Sequence, residues 1–344
     1  MMKSLLMNGY TDGTKWLALI MTLSLLSGCD NPANSGISSS LLWDMQKQSA
    51  LTFALHAKKL EADVSSLCKT ATPETLANAQ AQWTETMRAW QPLAGANFGH
   101  EAAMSLSWQI QFYPDKKNTT GRQLTQLLDS AGDVTPESLA GSSVAVQGLG
   151  ALEWLLFDKA NVSALATRCE VMQAVAARLK QSTLEMEAIW QTNPWETSSQ
   201  DQREKAALSI LAGQLDATIK TLSFPMGKPG FPKPYQAQAW RSSQSLALLR
   251  SSIEALNARY IVTLDTLLRD RDQSELADRL TKHWKAAQES VPTGNGMKPI
   301  LTNQTGYRQL MTLSNNLEYL KIALADEAAP ALGMVVGFNS TDGD

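Results

Sequence analysis

From Leu165 to Trp190, the residues Leu165, Cys169, Met172, Ala176, Leu179, Met186 and Trp190 fall at steps of three, four and seven. An α-helix turns once in about 3.6 residues, so these steps keep one side of a long helix apolar. A half-buried strand needs strict alternation, and no sustained alternating run occurs in the chain. The chain is therefore expected to be all-α. With 344 residues, 44% apolar and 18% charged, it has enough apolar mass for a real core, in one large domain or two ordinary ones.

Helix starts are also written in the sequence. Thr72-Pro73-Glu74 and Thr135-Pro136-Glu137 each offer a capping threonine, a first-turn proline and an acid near the positive helix end. A break is predicted at residues 223–235, SFPMGKPGFPKPY, where four prolines and two glycines oppose a helix. Residues 223–239 then read as a connection between a helical stretch at 40–222 and another at 240–344. TLANAQAQWTETM before it and ELADRLTKHWKAA after it place Trp83 and Trp284 in similar settings, a weak hint of a repeat.

The first 28 residues read as a leader. Lys3 and Lys15 flank a polar lead, and Trp16 to Leu26 is an apolar run too short to span a bilayer. It ends in Leu26-Ser27-Gly28-Cys29, which resembles a bacterial lipobox. Cleavage before Cys29 would leave a lipid-anchored protein that sits on the membrane without crossing it. Asp30 after the cysteine resembles an inner-membrane retention signal. Residues 29–39 read as a small, polar tether. These features place the chain in the cell envelope, facing the periplasm.

Two cysteines remain, Cys68 and Cys169. In an oxidising envelope a disulfide is the favoured reading, with two buried thiols or a thiolate metal site as the alternatives. A net charge of −3 and no basic stripe with interleaved aromatics exclude nucleic acid as a partner.

The residues that carry chemistry are few. His56, His100 and His283 are scattered, so no HExxH site exists, and there is no GxSxG elbow or phosphate loop. One stretch stands out. GLGALEWLLF, residues 148–157, holds a lone acid, Glu153, in an apolar run. A buried charge is costly unless paired or neutralised. Glu153 is then a ligand, an acid or base, half of a buried pair, or a charge at an edge. Arg241, in Trp240-Arg241-Ser242-Ser243, is its candidate partner. Asp115, in FYPDKK, caps the next segment or serves as a ligand. The end, LGMVVGFNSTDGD, is too apolar for a frayed tail and is expected to pack back onto the fold.

GLGALEWLLF, FYPD, AWRSSQSL and LGMVVGFNSTDGD together resemble the imelysin-like family, from about Leu41 to Asp344. That family takes its name from an insulin-cleaving membrane protease and includes iron-regulated envelope proteins. The resemblance implies two helical-bundle domains related by duplication. It also implies a G-x-H-x-x-E signature, proposed as a metal site. Gly148 matches its glycine and Glu153 its glutamate, but Gly150 stands where the histidine belongs. Glycine has no side chain to ligate or move a proton, which weakens both zinc-peptidase chemistry and iron binding through Glu153. The two glycines permit a close helix crossing. Glu153 is then expected to be paired with Arg241 or bonded to backbone amides, the other reading being a residual metal or ligand contact. The function this implies is a non-enzymatic envelope component that binds iron, an iron carrier or a protein partner in iron acquisition. A metal-dependent peptidase and an envelope scaffold are the alternatives.

Overall fold

The computed structural model describes residues 36–130, 134–158 and 165–334. The leader, Cys29, Asp30 and the tail from residue 335 lie outside the described residues. Long helices dominate: α1 (Ser39–Lys69), α2 (Pro73–Trp90), α3 (Thr119–Asp129), α4 (Gly148–Phe157), α5 (Cys169–Ile189), α6 (Gln200–Met226), α7 (Ser245–Tyr260), α8 (Ser274–Glu289) and α9 (Gln304–Ala323). Short helical turns fill several connections. Among the described residues there is no strand, only an isolated bridge between Lys228 and Phe231. The all-α expectation holds, as does the stripe on α5, where Met172, Ala176, Leu179 and Met186 are buried.

Both threonine caps form. Thr72 accepts from the Thr75 amide, and Thr135 from the Ser138 amide, each inside a reciprocal capping box with proline in the first turn. The proline-rich break begins later than its composition suggests, because α6 runs to Met226 with Pro225 in its last turn. Gly227, at φ +57°, then turns the chain.

Helices α1, α2, α4 and α5 pack on one another, and α6, α7, α8 and α9 form a second packed group. Helix α6, which precedes the proline-rich segment, thus packs with helices that follow it. Polar bonds link the groups: Ser252 Oγ donates to Gln91 Oε1 (2.7 Å) and Gln214 Nε2 to the Pro92 carbonyl (2.6 Å). Trp83 and Trp284 are both fully buried, one edge-on to Phe157 and the other against Tyr260. Near the end, Leu332 and Met334 are buried, and Arg271 Nη1 donates to the Leu332 carbonyl (2.7 Å).

Cys68, in the last turn of α1, is bonded to Cys169, the first residue of α5, with Cα atoms 5.5 Å apart across 101 residues. In the chain-entropy picture a loop of that size stabilises by about 4–5 kcal/mol, and real bridges deliver somewhat less. Replacing both cysteines by serine is expected to lower stability by about 2–4 kcal/mol. Urea melts of the oxidised wild type and the double variant check this; coincident curves would contradict it.

Candidate functional site

Helix α4 is buried on nearly every side, which is why its sequence shows no polar stripe: Leu149, Ala151, Leu152, Trp154, Leu155 and Leu156 are all in the core. Helix α2 clamps it through Trp83 Nε1, which donates to the Leu149 carbonyl (3.0 Å), and Gln80 Nε2, which donates to the Leu156 carbonyl (2.7 Å). At its other end Arg168 Nη1 donates to the carbonyls of Leu155 (3.2 Å) and Asp158 (2.8 Å), placing a cation at the negative helix terminus. The helix starts at Gly148 with φ +68°, where a Cβ would collide with the carbonyl oxygens of Gln109 and Ile110. Gly148 is there because the backbone leaves no room for anything else. Gly150 differs: a Cβ there would meet only the Phe112 carbonyl, at 3.8 Å.

Glu153 is 6% exposed. Its Oε1 accepts from the Arg241 amide (2.8 Å) and the Ser242 amide (2.9 Å), and the Ser242 hydroxyl lies 3.1 Å away. Those amides belong to a tight turn between Ala239 and Ser243, both at positive φ, closed by a bond from the Gln244 amide to the Ala239 carbonyl (3.0 Å). The carboxylate therefore satisfies the donors of a strained turn whose first bonded amide, that of Arg241, lies 88 residues further along the chain. Burial raises the Glu153 pKa, while the Ser242 and Arg241 donors and the Arg241 charge pull it down; burial prevails.

The Arg241 guanidinium does not point at Glu153. Its Nε donates to Asp158 Oδ1 (3.2 Å) and its Nη2 to Asn118 Oδ1 (2.7 Å), and it lies 4.3 Å over the Trp240 ring. Of the two expected arrangements, the bond to backbone amides is the one found, with Arg241 supplying an amide to Glu153 and its side chain to Asp158. Asp115 caps α3 with both oxygens, accepting from the Thr119 amide (2.6 Å) and the Thr120 amide (3.0 Å).

These pieces border one cavity of about 840 Å³, with Asp115, Gly150, Glu153, Asp158, Trp240 and Arg241 in its wall. FYPDKK, GLGALEWLLF, the proline-rich segment and the WRSS turn, remote in sequence, thus converge on it. The sequence did not point to Asn118 or Asp158 as partners of Arg241. Asn118 sits at φ 50°, and only the general tolerance of asparagine for that region hints at a special position. The three histidines are elsewhere: His56 beside Gln82 (3.1 Å), His100 beside the Thr192 carbonyl (3.0 Å), and His283 stacked on Tyr319 (3.7 Å).

The wall does not fit a resident metal centre. Among the described residues no group of three or more His, Cys, Asp or Glu side chains is placed to hold an ion. Around the motif, Glu153 Oε1 is taken by N–H and O–H donors, Asp115 by helix amides and Asp158 by Arg241. A cation there would displace those donors and face the Arg241 guanidinium.

A family profile described as Imelysin matches residues 50–324. An imelysin-like protein from Psychrobacter arcticum 273-4 superposes with a TM-score of 0.72 at 22% identity, covering 88% of this chain and 98% of that one. A "putative iron-regulated protein A precursor" from Parabacteroides distasonis ATCC 8503 superposes with a TM-score of 0.65 at 12% identity, covering 87% and 96%. At those identities the likeness to both structures is one of fold. No curated protein matches the sequence significantly.

Proposed function

The chain belongs to the imelysin family, and from that premise we propose that it is a non-enzymatic binding component of the bacterial cell envelope that serves iron acquisition. In this reading it is held by lipid on Cys29, faces the periplasm, and is retained at the inner membrane through Asp30. The observation that carries the reading is the cavity at the family motif, where Gly150 leaves space and Glu153 is committed to the 239–243 turn. A cavity of small-molecule size without a nucleophile–base pair or a metal donor set supports binding over cleavage. The iron-regulated name of one structural neighbour supports the link to iron. The Cys68–Cys169 bridge supports an oxidising compartment.

The test is made in cells. The protein level is expected to rise under iron limitation, and deletion of its gene to slow radiolabelled iron uptake. A level indifferent to iron together with unchanged uptake would overturn the proposal. A second expectation concerns the bare ion. Titrated with ferrous or ferric iron without chelators, wild type and Glu153→Gln are expected to give superimposable curves. Gly150→His, whose Cβ has room, is expected to fold normally and restores the motif's nitrogen ligand. Stoichiometric wild-type binding lost in Glu153→Gln would mean that the motif holds iron without its histidine.

A further inference from the structure

We propose that the cavity beside Glu153 takes an organic oxyanion with a flat apolar part, a catecholate or aromatic carboxylate of chelator size. This rests on the reading of the cavity as a binding site and names its ligand class.

The cavity wall carries charged groups of both signs. The wall holds three carboxylates, Asp115, Glu153 and Asp158. Each is answered from within the protein: Asp115 by two helix amides, Asp158 by Arg241, and Glu153 by two amides within 2.9 Å and a hydroxyl at 3.1 Å. The wall also holds Lys116, Lys117 and Lys233. Among the described residues none of these lysines has a carboxylate within 4.0 Å, although other lysines of the chain, such as Lys180 and Lys321, do. With Arg241 the wall sets four cations against three carboxylates, and Lys116 rests 4.3 Å over the Phe224 ring, so the net charge at the mouth is positive. Low-dielectric walls concentrate such a field and favour an anion over a cation.

The apolar part of the lining is aromatic. Trp240 carries the Arg241 guanidinium on one face and meets Tyr235 edge-on at 4.9 Å. Tyr235 is 57% exposed, with Lys298 Nζ 3.4 Å from its hydroxyl, so its ring is open to a ligand. Planar rings beside cationic ends suit a ligand with a flat body and an oxyanion at its edge. A volume of about 840 Å³ lies within the usual range for small-molecule sites. It accommodates the free anion or its complex with ferric iron, and the two sources share the chemistry recognised here.

Titration calorimetry on the full chain in detergent tests the assignment with 2,3-dihydroxybenzoate, its ferric complex, and benzylamine as a ring of opposite charge. At least one of the first two is expected to bind, with affinity falling as salt rises, and benzylamine is expected not to bind. Binding of the complex alone identifies the chelate as cargo; equal binding identifies the free anion; either supports the class. Combined Lys116→Gln, Lys117→Gln and Lys233→Gln is expected to weaken binding about tenfold or more. The corresponding arginine variants should keep it. All three lysines are exposed, so folding is not at stake, and helical circular dichroism checks it. Binding of neither anion, equal binding of benzylamine, or unchanged affinity in the glutamine variant would overturn the assignment. If that happens while deletion still slows iron uptake, the ligand class falls and the role in iron acquisition stands.

Discussion

Glu153→Ala is expected to cost about 3–5 kcal/mol of stability, because it strands two backbone amides, worth about 1–3 kcal/mol each, and leaves a cavity. Those amides sit in a strained turn with Ala239 and Ser243 at positive φ, closed by the bond from the Gln244 amide to the Ala239 carbonyl and anchored to α4 by Glu153. Glu153→Gln keeps an acceptor at the same place and is expected to be far milder. The pair of variants also isolates the charge. Burial raises the Glu153 pKa in the folded protein above its ordinary 4.5. The folded state then holds the proton more tightly than the unfolded state does. The resulting stabilisation is complete below the unfolded value and is lost as pH rises through the folded one. Wild type should therefore lose ground to Glu153→Gln across that window and run parallel to it on either side. Urea midpoints for both proteins at stepped pH read this directly. A pH-independent gap would mean that Glu153 titrates alike in both states, and a stable Glu153→Ala would remove its role in the turn.

Gly148→Ala is expected to be damaging too, at about 2–5 kcal/mol, for an unrelated reason. A residue with a Cβ at φ +68° pays about 1–2 kcal/mol for the left-handed backbone. The new methyl also overlaps the carbonyl oxygens of Gln109 and Ile110, which are backbone and cannot swing aside, and overpacking adds about 1–3 kcal/mol. The Gln109–Ile110 segment leads into Phe112 and Asp115, so displacement should also open the cavity wall. Gly150→Ala, two residues on, is the control: its Cβ makes only an ordinary contact and replaces a helical glycine, so it should be neutral or slightly stabilising. Thermal melts of the two variants side by side test the contrast. Equal melting temperatures would show that the close approach at Gly148 yields more readily than its geometry implies.

The helices were legible because their causes are local. The α5 stripe and the two threonine caps depend on residues a few positions apart, and the sequence displays them. Glu153 was legible as an anomaly: one acid in a run of core residues had to be answered by something. What answered it was not legible, because the donors are main-chain amides, which every residue carries. Arg241 was found as a neighbour, but its side chain chose Asp158 and Asn118, a preference set by the turn's direction. Pro225 misled about the end of α6, since a proline late in a helix forfeits one bond near the terminus and is tolerated there.

The cavity wall is assembled from three stretches of chain, 111–120, 150–158 and 232–241, none of which closes it alone. No single stretch can leave while a ligand touches all three, so occupancy is coupled to the folding equilibrium of the whole molecule. A ligand held at a hundred times its dissociation constant adds about 2.7 kcal/mol to that equilibrium. Heat resistance thus becomes a readout of cargo, and a panel of candidate molecules can be ranked by melting temperature before any function is assayed.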